Sequence, residues 1–236
     1  MTVLESCQSA GILDKVWGLP LGQDGGRDNI IHDTAVAIAL EDPDDRKILW
    51  TATVKNFLQR AAVPKCPGVF YREAGNTSRN SYDNLIGTCV ASALLDLPYA
   101  DQVYQWGRHH EWCYNVEDPG HFAIQDCYVR FIGAPNLIKM SAGHSTLVGL
   151  WPISQAIEAS LEPNNSDKTD VGNKLLMWLW KQALTGRSHY LDYWWKYWAK
   201  EMTKVYGNLD IFLGWYFKPV NGHPHPFVEA SRGRGF

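Results

Sequence analysis

Arg27-Asp28-Asn29-Ile30-Ile31 opens a stretch that continues as His32-Asp33-Thr34-Ala35-Val36-Ala37-Ile38-Ala39-Leu40 and closes on Glu41-Asp42-Pro43. The same order of features returns downstream as Tyr82-Asp83-Asn84-Leu85-Ile86, an interior rich in Ala, Val and Leu as far as Leu95, then Asp96-Leu97-Pro98. Asp28 matches Asp83, Asn29 matches Asn84, Ile31 matches Ile86, Leu40 matches Leu95 and Pro43 matches Pro98, all at an offset of 55 residues without a gap. Matches that keep their order, with a shared beginning and end, mark an internal repeat.

Each copy reads as a helix. Asp and Asn suit an N-cap, where a side-chain oxygen accepts from an otherwise unpartnered backbone N–H. The interior is apolar nearly all round, which predicts burial on most sides. The proline marks the end, because the residue before a proline is pushed out of the helical region. A more polar helix is expected after each copy, over 46–62 and 99–114. In the first, Ile48, Leu49, Ala52, Leu58 and Ala61 are spaced for one buried face.

Working outward, the chain of 236 residues is long enough to bury a sizeable core, and 45% hydrophobic with 20% charged residues is a globular balance. Its net charge of −3 argues against a nucleic-acid partner, which calls for a basic face. Five cysteines, Cys7, Cys66, Cys89, Cys113 and Cys127, are odd in number and irregular in spacing. They read as reduced thiols of a cytoplasmic or virion-associated protein rather than a disulfide framework. Glu5 and Asp14 interrupt the N-terminal segment, so no signal peptide is expected, and no apolar run approaches the length of a membrane span.

The second half repeats the helical theme less clearly. Helices are expected over 145–161, 170–184 and 188–206, followed by an apolar segment over 208–217. In the third, Leu191, Trp194, Trp195, Trp198, Met202 and Val205 share one face. The whole predicts one helical domain over 1–217, with the tandem helix pairs in 24–115 and weaker repeats in 141–217. Pro219, Pro224 and Pro226 then predict an extended C-terminal tail over 218–236.

Candidate chemistry collects at the helix starts and the loop between the copies. In an array of helix pairs equivalent helix ends gather on one side, where Asp28 and Asp83 could divide acid and base work. The competing reading is plain capping, which uses the same residue types. The loop Arg72-Glu73-Ala74-Gly75-Asn76-Thr77-Ser78-Arg79-Asn80-Ser81-Tyr82 mixes guanidinium, carboxylate, amide, hydroxyl and phenol groups, suited to a polar ligand such as a sugar. Asp83, with Asp28 or Glu73 as its partner, forms the candidate catalytic set. Arg72, Tyr82, Asn84, Trp106, His110 and Trp112 form the candidate ligand-holding set.

His109 and Cys113 are four apart but lack a second close pair, so no metal site is expected. His110 and Tyr114, also four apart, suit either acid–base work or a packed aromatic helix end. The segment Ser141-Ala142-Gly143-His144-Ser145-Thr146-Leu147 lacks the glycine that a nucleophile elbow needs at 147. No phosphate-cradling glycine loop is present, and no cofactor is expected.

The Ala-rich buried helix opened by Asp-Asn, the polar loop and the repeat length, over residues 24–115, resemble the helical hairpins of α/α-toroid proteins. That superfamily includes six-hairpin glycosidases and some polysaccharide lyases. The resemblance implies a central aromatic-lined cleft acting on carbohydrate. The chain has room for about three to four helix pairs, so the expected fold is mainly α, with repeated α-hairpins in an open or partial α/α-toroid-like array. Two functions follow. One is a carbohydrate-active enzyme, a hydrolase or lyase. The other is a non-catalytic component of a larger assembly, a homo-oligomer or a complex with a protein partner. Trp194, Trp195 and Trp198 would then form the docking face, and the tail an arm.

Overall fold

The computed structural model describes residues 1–21, 27, 29–71, 82–110 and 209–232. Among these residues the architecture is helical, without extended strands: α1 (Val3–Ser9), α2 (Ile30–Leu40), α3 (Pro43–Ala61), α4 (Tyr82–Leu94), α5 (Tyr99–His109), α6 (Leu209–Tyr216) and α7 (Pro226–Ser231). Isolated antiparallel bridges Leu13↔Pro20, Ala62↔Phe70 and Val220↔His223 close the loops. The expected helices over 145–161, 170–184 and 188–206 lie outside the described residues.

Every residue of α2 is buried, as its unbroken apolar pattern requires. Its polar side chains bond locally. The Thr34 hydroxyl donates to the Ile30 carbonyl at 2.6 Å, and His32 Nδ1 lies 3.1 Å from the Asp33 carboxylate. The most extensive packing of α2 is against α4, and the two helices touch at Gly87. A Cβ built there would fall 2.6 Å from both the Cα and the backbone N of His32. Only glycine lets the backbones approach this closely. His32 and Gly87 are themselves 55 residues apart, so the crossing joins matched positions of the two similar segments.

Helix α3 starts at Pro43, three residues before the expected 46. Pro43 sits in the first turn, where its missing N–H costs nothing, and the Asp42 side chain accepts from Asp44 N–H at 3.0 Å. The proline that ends one helix therefore opens the next. The buried face meets expectation at Leu58 and Ala61, and in part at Leu49, but differs elsewhere. Arg46, Trp50, Val54, Phe57, Leu58 and Ala61 are buried, whereas Ile48 is 81% exposed and Ala52 is exposed. The stripe runs at 46, 50, 54, 57, 58 and 61, set by the large Trp50 and Phe57 rings and by a buried arginine. Trp17 meets Phe57 edge-on at 5.5 Å, and the Arg60 guanidinium lies over the Trp17 ring.

The helix starts also depart from the sequence reading. Asn29 occupies the N-cap of α2 but makes no side-chain capping bond; its backbone carbonyl accepts from Asp33 N–H at 2.9 Å. Helix α4 starts at Tyr82, so Asp83 and Asn84 lie inside its first turn and neither is the cap. Acidic residues suit that turn because the helix dipole is positive there. Helix α5 ends at His109, short of the expected 114.

The extended tail expected over 218–236 is corrected for its described residues, 218–232. A turn at residues 220–223, with Asn221 at φ 51°, leads into α7, where Pro226 serves as an initiator rather than a breaker. Phe217 and Phe227 are buried and meet edge-on at 4.8 Å. Helix α7 packs on α6, α1 and α2, so the chain's C-terminal segment completes the core around its N-terminal helix.

The crossing generates a paired prediction. Gly87→Ala should lower stability by about 1–3 kcal/mol, because the new methyl meets backbone that cannot yield. Gly214→Ala, in α6 with only Val228 Cγ2 at 4.0 Å, should be neutral or raise stability by up to about 1 kcal/mol. Urea unfolding midpoints measure both; equal shifts would contradict the close crossing.

Candidate functional site

The sequence-predicted residues fall into three groups. Asp28, Arg72, Glu73, Trp112, Trp194, Trp195 and Trp198 lie outside the described residues. Tyr82, Asp83 and Asn84 are placed by the backbone in the first turn of α4. Trp106 and His110 are described, and they are brought together.

Their corner is built from the loop after α3. Val63 N–H donates to the Val69 carbonyl at 2.9 Å and Tyr71 N–H to the Ala61 carbonyl at 2.7 Å, folding residues 62–70 back on the end of α3. At the apex Gly68 has φ 97°, and a Cβ there would lie 2.2 Å from the Gln102 carbonyl oxygen. Glycine is thus demanded twice, by the left-handed backbone and by the approach to α5. Phe70 packs edge-on to Tyr99 at 5.9 Å, and burial raises the pKa of the Tyr99 phenol. These contacts anchor the chain on one side of the polar loop, while α4 begins on the other.

Trp106 is 8% exposed, and the His110 ring stacks on it at 3.7 Å with 16° between planes. His110 Nδ1 lies 3.0 Å from the Trp106 carbonyl oxygen, which can only accept, so Nδ1 carries the proton. This geometry is a packed aromatic helix end that ties off the last turn of α5. A sugar-stacking platform needs an open ring face; one face of this indole is covered by His110.

The described interior holds ionisable groups that sequence reasoning missed, directed mainly at backbone. The Glu41 carboxylate accepts from Val3 N–H at 3.1 Å, Leu4 N–H at 3.3 Å and the Trp50 indole at 3.3 Å. It receives the first turn of α1, whose amides have no partner within their own helix. From the start of α3, the Arg46 guanidinium donates to the carbonyls of Ile38 at 2.7 Å, Ala39 at 3.2 Å and Glu41 at 3.2 Å. It satisfies the end of α2, where orphan carbonyls and the negative dipole end both favour a cation.

Asp14 organises the turn after α1. Burial works against its charge, but the Trp17 and Val16 N–H groups and the Arg27 guanidinium outweigh it and hold the carboxyl below its usual range. Cys7, Cys66 and Cys89 are free and buried; burial, with the nearby Glu41 charge, pushes the Cys7 thiol up to about 12 and burial alone raises the other two. Such thiols are poor nucleophiles. One signal was readable: Thr2 and Glu5 have capping-box spacing, and each side chain accepts from the other's N–H, at 3.1 and 2.8 Å. Among the described residues, no group of three or more His, Cys, Asp or Glu side chains is placed to hold a metal ion. No described helix is long and apolar enough to cross a membrane.

Arg46→Met should cost about 2–4 kcal/mol, since it leaves three carbonyl groups short of a donor inside the fold. Arg46→Lys should recover less than half of that, because an ammonium cannot span the three acceptors as a guanidinium fork does. Urea unfolding followed by far-ultraviolet circular dichroism reads both, and full recovery by lysine would refute the capping role. Comparison with known proteins adds no further constraint: no family model, no curated protein and no solved structure matches the chain.

Proposed function

We propose that this chain is a non-catalytic structural or docking component of a larger protein assembly, possessing the tandem helix pairs of an open α/α-toroid-like array. The observation that carries this reading is the use made of buried charge. Asp14 holds its own turn, Glu41 the start of α1 and Arg46 the end of α2, which builds a scaffold rather than a reactive centre. The packed Trp106–His110 corner points the same way, since both rings are engaged in closing a helix end.

The docking face in this reading is the aromatic stripe of Trp194, Trp195 and Trp198, and the setting is a homo-oligomer or a multi-subunit particle such as a virion. Large rigid aromatics suit such a face because they bury much area at little entropic cost. The repeat itself is supported by the crossing of α2 and α4 at positions 55 residues apart. The extended arm has no part in this proposal, because α7 belongs to the core.

A second reading, hydrolysis or elimination on a carbohydrate, retains one observation in its favour. Asp83 lies in the first turn of α4, at the end of that helix next to the polar loop. Light scattering of the purified full chain, together with a polysaccharide depolymerisation assay, separates the two. The assembly reading expects a discrete oligomer at micromolar concentration, a shift toward monomer in Trp194→Ala/Trp198→Ala, and no new reducing ends. A monomer that cleaves a polysaccharide, and loses that activity in Asp83→Asn with an unchanged unfolding midpoint, would replace it with the enzyme.

A further inference from the structure

His225 combines three features that a structural histidine does not need together. It is 1% exposed, it caps α7, and its ring is enclosed by aromatic rings. The Phe217 ring stacks on it at 4.9 Å with 24° between planes, and Phe227 meets it at 4.4 Å and 67°. Its Nδ1 accepts from Phe227 N–H at 3.2 Å. An accepting Nδ1 carries no proton, so the neutral ring holds its hydrogen on Nε2, which is buried without a well-formed hydrogen bond and faces the backbone of Leu21.

We propose that His225 is an acid-released latch: protonation of its ring uncaps α7 and detaches that helix from α1, α2 and α6. The added proton occupies the Nδ1 lone pair, so the Phe227 N–H loses its acceptor and faces another N–H. At the same time a charge arises inside an apolar enclosure. The flanking phenyl faces attract a cation weakly, which only partly offsets the lost hydration.

Among the described residues, no carboxylate pairs with the His225 ring. Asp14, on the segment that leads to Leu21, is held by the Val16 and Trp17 N–H groups and by Arg27. On α1, Glu5 is bonded to Thr2 at the surface, and Cys7 is a neutral thiol. On α2, Asp33 sits against His32, and the following Glu41 is held by Val3, Leu4 and Trp50. Asp210 lies in the first turn of α6, and Glu229 and Arg232 of the latch segment pair with each other at 2.7 Å. His223 is exposed.

Burial moves the His225 pKa down from 6.5 to about 4, opposed only by the Leu21 backbone. The docked helix therefore favours the neutral ring. Docking is fully present above about pH 6.5 and is lost as pH falls toward 4. Between pH 7.5 and 5 the open population should rise about thirtyfold.

Hydrogen exchange on the full chain tests this, with rates corrected for the intrinsic pH dependence of exchange. Amides of residues 228–232 should lose about thirtyfold in protection between pH 7.5 and 5, while amides in the centre of α3 change much less. His225→Asn keeps a side-chain acceptor for the Phe227 N–H and cannot titrate, so its α7 protection should be flat over the same range. Flat protection in the natural chain, or the full pH response persisting in His225→Asn, would overturn the latch. If the variant does not fold, the proton resonance of the His225 ring decides: a titration midpoint near 6.5 with α7 still protected also overturns it.

Discussion

Two backbones touch where α2 crosses α4, and the described core is arranged around that contact. A helix can approach another this closely only where a side chain is missing, and Gly87 against His32 supplies the gap. The consequence is a wide interface between two nearly all-apolar helices. Helix α2 becomes buried on every side, as does α4 from Gly87 on, and the remaining elements must cover them. Helix α5 packs on α4, α3 reaches α4, and α1 and α7 cover α2.

Burying α2 end to end creates its own requirement. Its last carbonyls cannot reach water and must be met from within the protein. Arg46 meets them from the first turns of α3, which also fixes how the chain leaves one helix and enters the next. Glu41, at the same corner, receives the first amides of α1. One short segment, Glu41-Asp42-Pro43-Asp44-Asp45-Arg46, thereby ends one helix, starts a second and docks a third. Outside it, the exposed Lys47–Asp96 ion pair links α3 to the turn after α4, a contact of little energetic weight.

The closure of the core by α7 brings the two described termini of the chain together. Phe217, His225 and Phe227 form an aromatic cluster against α1 and α2, so the last described residues share a core with the first. The N-terminal elements are then stabilised by contacts from the far end of the sequence. A cluster with a single titratable ring at its centre is also the place where a change of protonation would be felt most.

How much was legible in advance follows from the range of each interaction. Helix α2 was readable because continuous apolar character is local, and the Thr2–Glu5 box is equally local in its spacing. The burial of Arg46 was not, because its acceptors lie on another helix and meet it only after folding. The buried face of α3 was legible at Leu58, Ala61 and in part Leu49, but not at its start, where Ile48 and Ala52 are exposed and the buried stripe includes an arginine. The tail was misread because proline in isolation signals extension, and only the apolar surface offered by α1 and α2 makes a helix begun by Pro226 worth ordering. For the candidate site, residue types and loop position were visible, and the sequence alone determined that polar and aromatic groups cluster between two similar helices. Tertiary structure decided that Trp106 and His110 close a helix end and that Asp83 stands inside its helix, because burial and helix phase depend on neighbours distant in the chain.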